Sequence, residues 1–124
     1  MTVAIGIGFT TRASEASLAA ALGARLAHGK ADLVATAADK AGHPARVAAA
    51  RELGLAIVPV PEEAMQAMAP HLVTCSFRSV AARGIGSVAE AAALAAAGGG
   101  ARLDGPRIVS DDGLATTAIA RRDP

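Results

Sequence analysis

Three stretches of this 124-residue chain gather side chains that could do chemistry. The first is Gly6-Ile7-Gly8-Phe9-Thr10-Thr11-Arg12. A glycine-rich turn leaves backbone amides free, and Thr10, Thr11 and Arg12 add hydroxyls and a cation at a helix entrance, a place that can hold a carboxylate or phosphate. It is not a dinucleotide fingerprint: the third glycine is missing where the helix should open. No acidic residue closes the next strand, Val34-Ala35-Thr36, where a ribose hydroxyl would be held. A tight turn with a solvated Arg12 explains the same residues equally well. The second stretch, Thr36-Ala37-Ala38-Asp39-Lys40, follows a strand and shares the carboxyl edge of a parallel sheet with the Gly8 turn, the edge where such folds bind ligands. Lys40 could pair with an acid group there or, if desolvated, act as a nucleophile; a solvated loop lysine is the plainer account. The third runs from Thr74 to Glu90 and offers Thr74, Ser76, Arg78 and Ser79. Its Ser87-Val88-Ala89-Glu90 matches a capping box, hydroxyl to the third amide and carboxylate back to the cap amide. That box accounts for Ser87 and Glu90 without excluding a ligand on the remaining amides.

Other chemistries find little support. His28, His43 and His71 have no metal-ligand spacing, and the single Cys75 completes no zinc set. Paired with a distant histidine Cys75 makes a thin nucleophile, a buried thiol being far commoner. There is no Gly-x-Ser-x-Gly elbow and no Walker loop. No metal, no cofactor and no recognisable reaction centre is expected. Twelve basic and eleven acidic residues give a net charge of +1, and Phe9 and Phe77 are the whole aromatic content. Neither a dense positive field nor a stacking platform is offered to nucleic acid. One cysteine cannot form an internal disulfide, Met1-Thr2-Val3-Ala4 does not open a signal peptide, and the run Ala89–Ala97 falls far short of the ~20 residues that span a bilayer. A cytoplasmic protein with no membrane partner is the expectation.

The elements that must position these residues form one domain, residues 1–124, of about the usual domain size. Val3 to Phe9 reads as a buried strand whose end needs a close backbone approach. Ser14 caps a helix with Leu18, Leu22 and Leu26 on one face. Leu33 to Thr36 is a second strand, Pro44 opens a helix that Gly54 stops, and Ala56 to Val60 is a third strand. Pro61 starts a short helix that Pro70 ends. A short helix around Phe77 to Ala82 and a loop Arg83-Gly84-Ile85-Gly86 precede the Ser87 helix, which runs to about Ala97 and stops at Gly98-Gly99-Gly100. Arg107 to Ser110 and Leu114 to Ala120 flank the hairpin signal Asp111-Asp112-Gly113, and Arg121 to Pro124 reads as a frayed tail. Strands alternating with helices predict a three-layer α/β domain, a mainly parallel sheet with helices on both faces and a C-terminal β-hairpin.

With these residues in hand the chain resembles the family of the cobalamin-biosynthesis protein CobE and the C-terminal domain of CbiG. The resemblance rests on Val3-Ala4-Ile5-Gly6-Ile7-Gly8-Phe9, Ala35-Thr36 with Asp39-Lys40, Glu52-Leu53-Gly54-Leu55, and Thr74 with Ser76. Its most specific stretch is Gly86-Ser87-Val88-Ala89-Glu90-Ala91-Ala92-Ala93-Leu94, followed by the glycines and Ala118-Ile119-Ala120. It spans essentially the whole chain in order. It implies a part in making the corrin ring of vitamin B12. CbiG opens a lactone on a cobalt-containing precorrin with further domains ahead of this one, so a chain of this extent looks more like CobE of the aerobic branch. The family often places an arginine directly after the Gly-x-Gly-x turn; Thr10 stands there, and Arg12 is the cation that would take over its charge. Corrin intermediates carry carboxylates around an apolar macrocycle, so the implied ligand is a corrinoid or precorrin intermediate. Its site is expected at Gly8, Phe9, Thr10, Arg12, Thr36, Lys40, Thr74, Ser76, Ser87 and Glu90. The leading expectation is a protein that binds or hands on such an intermediate. Two others stand beside it: an enzyme acting on the intermediate with Lys40 or Glu90 as acid–base group, and a partner that docks onto other cobalamin-pathway enzymes without a ligand.

Overall fold

A computed structural model of the chain describes residues 1–27, 29–76, 79–81 and 84–123. Its elements are β1 (Thr2–Phe9), α1 (Glu15–Leu26), β2 (Leu33–Ala37), a 3-10 turn (Ala38–Lys40), α2 (Pro44–Leu53), β3 (Ala56–Val60), α3 (Glu62–Ala67), a second 3-10 turn (Ala69–His71), α4 (Val88–Ala97), β4 (Arg102–Leu103), β5 (Ile108–Val109) and β6 (Ala115–Arg122). Phe77, Arg78, Ala82 and Arg83, within the short helix and loop expected there, lie outside the described residues, as do His28 and Pro124.

Local chemistry sets the helix ends. The Ser14 hydroxyl accepts the Ser17 amide at 3.1 Å, satisfying a donor that the first turn of α1 leaves orphaned. His43 Nδ1 does the same for Ala45 at 3.3 Å, one residue before Pro44, while Gly54 ends α2 in the left-handed region at φ 69°. The Ser87 hydroxyl accepts the Glu90 amide at 3.3 Å. The reciprocal half of the expected capping box is replaced: the Glu90 carboxylate takes its donors from Val73, Thr74 and Arg107 instead.

The sheet runs β3-β2-β1-β6-β4, with β5 also on β6. Strands β1, β2 and β3 are parallel, and β6 lies antiparallel to β1 over eight residue pairs, Thr2 opposite Arg122 to Phe9 opposite Ala115. Helices cover both faces, and β5 with β6 makes the expected hairpin, Ile108 opposite Thr117. The tail reading is corrected here. Arg121 and Arg122 extend β6 because the backbone of Val3 and Thr2 pairs with them, and Arg121 Nε reaches Asp104 at 3.0 Å.

Strand alternation divides the core in two. Val3, Ile5, Ile7 and Phe9 of β1, with Ile119 of β6, pack against Leu18 and Leu22 of α1 and Ala49 and Ala50 of α2. On the other face, Ala4, Gly6, Gly8, Ala35, Ala37, Ala118 and Ala120 leave room for α4, whose buried side is mostly alanine. A Cβ on Gly6 would lie 1.8 Å from the Ala89 carbonyl oxygen and 2.8 Å from the Ala93 nitrogen. The close backbone approach expected at the end of the first strand is therefore made to a helix more than eighty residues later in the chain.

Candidate functional site

Parallel strands β1 and β2 end at Phe9 and Ala37, and antiparallel β6 begins at Ala115 on the same edge of the sheet. The hairpin turn, the 3-10 turn after β2 and the start of α4 all arrive there. Between them lies a groove of about 410 Å³, lined by polar Thr10, Lys40, Ser76, Ser79, Arg107 and Thr116 and by apolar Phe9, Val88, Val109 and Leu114. Among the described lining residues two are cationic and none is acidic.

Each wall has a local cause. The 3-10 turn Ala38–Lys40 carries Lys40 back over the end of β1, where its ammonium donates to the Phe9 carbonyl and lies 5.1 Å from the Phe9 ring centroid, a cation–π distance. The same ring meets His43 edge-on, centroids 5.3 Å apart at 77°, so its position is held from two sides. Gly8 keeps the floor open. The Thr116 hydroxyl donates to its carbonyl at 3.4 Å, and an added Cβ would come within 3.2 Å of that hydroxyl oxygen. The Ser76 amide donates to Gly86 O at 2.7 Å, and Gly86 has so little space that a Cβ would sit 3.0 Å from Thr74 O. Val88, the first residue of α4, brings a helix N-terminus to the groove, adding partial positive charge to that of Lys40 and Arg107. Thr10 Oγ1 and Ser79 Oγ are shielded from solvent without a hydrogen-bond partner among the described residues. A buried hydroxyl left this way costs free energy that a ligand acceptor can recover.

Of the residues expected at the site, Gly8, Phe9, Thr10, Lys40 and Ser76 come together in the groove lining. Arg12 stands exposed in the β1–α1 turn, outside that lining. Thr36 is buried with its hydroxyl on the Ile7 carbonyl at 2.7 Å. Ser87 and Glu90 are buried beneath the start of α4, and Thr74 hydrogen-bonds Glu90 through both amide and hydroxyl, at 3.0 and 2.6 Å. Arg78 lies outside the described residues. Cys75 is exposed, not the buried thiol that residue frequencies favour, because its neighbours Thr74 and Ser76 make the inward bonds. The sequence reading missed Arg107, Val109, Leu114 and Thr116 as groove residues. The turn Asp111-Asp112-Gly113 was read as a hairpin signal, but only the pairing of its second strand with β1 brings that turn beside the end of β1. Among the described residues no group of three or more His, Cys, Asp or Glu could hold a metal ion, and no helix is long and apolar enough to cross a membrane.

Residues 3–120 match the model of the family described as cobalamin synthesis G C-terminus. The chain belongs to that family. It is therefore a member of a cobalamin-biosynthesis family, as the resemblance implied. Among solved structures, CobE, a protein from the cobalamin (vitamin B12) biosynthetic pathway, superposes with a TM-score of 0.86 at 31% identity, over 98% of this chain and 91% of that one. The cobalamin biosynthesis protein ChiG from Agrobacterium tumefaciens gives 0.78 at 36% identity, over 99% of this chain and 100% of that one. A comparison with curated protein sequences returned no match.

Proposed function

We propose that this cobalamin synthesis G C-terminus protein binds a corrinoid or precorrin intermediate in the groove at the sheet's carboxyl edge, and holds it or hands it on. The observation that carries this reading is the make-up of the groove: Lys40, Arg107 and the hydroxyls of Thr10 and Ser79, without partners among the described residues, around Phe9, Val88, Val109 and Leu114. Carboxylates on the rim of an apolar macrocycle call for that combination. A few placed donors in a mainly apolar cleft at the carboxyl edge of an α/β sheet is also the usual form of a small-molecule site. Among the described residues the groove lining offers positive charge and hydrogen-bond donors but no acidic side chain, which favours holding an anion over moving its protons.

The test is a visible-absorption titration of the purified protein with hydrogenobyrinic acid and its cobalt-containing counterpart. Saturable binding is expected, weakened about tenfold or more in Lys40→Ala and in Arg107→Ala, since one charge-assisted contact is worth roughly 1.5–3 kcal/mol and 1.4 kcal/mol is a factor of ten. Unchanged thermal midpoints in both variants would separate lost contacts from lost folding. Conversion of the corrinoid into a product would move the assignment to an enzyme, and no saturation with either compound would sink the binding reading. A second reading, docking onto other pathway enzymes, is favoured by Val73 in the loop before α4 and by Ile108 and Val109 of β5, all half or more exposed. Co-migration with a pathway enzyme in the absence of corrinoid would select it.

A further inference from the structure

We infer that Glu90 is a positioning residue, which sets the width of the groove by tying its two loop walls to one buried carboxylate. The inference rests on the groove being the ligand site. Glu90 is fully buried in the first turn of α4. Its Oε1 accepts the amides of Val73 and Thr74 at 2.9 and 3.0 Å; its Oε2 accepts the Thr74 hydroxyl at 2.6 Å and the Arg107 amide at 3.0 Å. Two loops more than thirty residues apart in the chain thus share a single acceptor. One leads directly into Ser76, and the other carries Arg107; both residues line the groove.

The chemistry explains why a carboxylate stands there. Burial of such a group costs heavily unless its lone pairs are taken up, and four short donors take them up here. Two oxygens can each accept twice with no donor of their own to misplace, so both loops converge without a clash. A glutamine of the same shape would turn an NH2 toward two of those four donors and push one loop away. Glu90 therefore acts on the ligand through the position of Arg107, and touches no ligand itself.

The experiment is a double-mutant cycle in the full chain, with hydrogenobyrinic acid as the probe. Glu90→Gln and Arg107→Ala are each expected to weaken binding about tenfold, and the double variant to be no more than a few-fold weaker than either single one. Combined with Lys40→Ala, on the opposite wall, Glu90→Gln should keep its full effect. Without ligand, Glu90→Gln should shift the amide NMR signals of Val73, Thr74 and Arg107 together. If Glu90→Gln does not fold, Thr74→Val removes a single donor; its smaller loss of affinity should vanish in the Arg107→Ala background. Effects of Glu90→Gln and Arg107→Ala that multiply in full, or an unchanged affinity in Glu90→Gln while Lys40→Ala is impaired, would overturn the positioning role and leave the binding reading standing. Absence of binding in the unmodified protein would overturn both.

Discussion

The two faces of the sheet solve the same problem by opposite means. Toward α1 and α2, β1 presents Val3, Ile5, Ile7 and Phe9, and stability comes from hydrocarbon buried by large side chains, each worth roughly 1.5–3 kcal/mol. Toward α4, the same strand presents Ala4, Gly6 and Gly8, so little area is buried per residue and close backbone contact replaces it. A bulky face tolerates small adjustments because side chains can repack. A face without side chains has nothing to repack, and so fixes one helix position. The groove is built against that second face, where the N-terminus of α4, Val88 and Glu90 are placed by their fit over Gly6 and Gly8. Rigid placement of the site, more than stability, is what the small residues contribute.

The largest expected effect breaks this contrast most directly. Gly6→Ala adds one methyl group at 1.8 Å from a backbone oxygen that no rotamer change can move. Overpacking usually costs about 1–3 kcal/mol, and here the cost should reach or exceed about 3 kcal/mol in chemical denaturation. Leu22→Ala, a cavity on the bulky face, should cost about 2–5 kcal/mol. The two losses are similar in size but differ in kind. Gly6→Ala should also shift the amide signals of Val88, Ala89 and Glu90, while Leu22→Ala should leave them in place. A Gly6→Ala protein as stable as the parent, with α4 signals unmoved, would show that the helix does not rest on β1 so closely.

This contrast also separates what could be read from the chain alone from what could not. Ser14, Pro44, Gly54, Ser87 and the Asp111-Asp112-Gly113 turn were readable because each acts on backbone groups within four residues of itself. The parallel β1–β3 half followed from strand–helix alternation for the same reason. Nothing local announced that β6 would enter the sheet beside β1, so Arg121 and Arg122 read as a tail, β4 went unseen and Arg107 stayed outside the expected site. Gly6 and Gly8 were noticed for a turn, whereas Gly6 lies inside a strand and answers to Ala89 and Ala93. Glu90 completed a four-residue sequence motif, yet its carboxylate is claimed by loops on either side of α4. Of the half of the expected site that the structure brings together, Gly8, Phe9, Thr10 and Lys40 come from the ends of β1 and β2, whose edge the topology of a parallel sheet already determines, and only Ser76 comes from a loop that follows no strand.

A smaller effect sharpens the comparison through its two caps. Ser14 is exposed at the start of α1 and Ser87 is buried at the start of α4. Replacing a capping serine by alanine costs about 0.5–2 kcal/mol. Ser87→Ala should fall in the upper half of that range, because the amide it leaves is cut off from water, and Ser14→Ala in the lower half, because water can replace the hydroxyl. Thermal unfolding of the two variants side by side gives the order. Equal losses would mean that burial of α4 adds nothing to its cap, against the view that this helix is held more strictly than α1.

The smallest expected effect concerns a fully buried cation in the helix layer on the bulky face. Arg46 of α2 is fully buried, yet its guanidinium reaches only the Ala41 and Val34 carbonyls, both at 3.4 Å, and its Nε has no partner among the described residues. Burial lowers its pKa to about 10, so it remains charged at neutral pH. Replacing a buried charge by an apolar side chain of similar volume is often neutral or stabilising. Arg46→Met gives up two long hydrogen bonds and is relieved of that charge, so its stability at pH 7 should lie within about 1 kcal/mol of the parent. The pH dependence has a definite sign. Above about pH 10 the folded state releases the Arg46 proton before the unfolded chain does, so the unfolded state holds more protons and the parent gains stability as pH rises. Below about pH 9 the difference between parent and variant should stay constant, and above 10 it should move in favour of the parent. A loss of about 3 kcal/mol or more at pH 7 would mean instead that the guanidinium bridges β2 and the loop before α2 with a strength its two long bonds do not convey, and the bulky face would then owe part of its geometry to a charge.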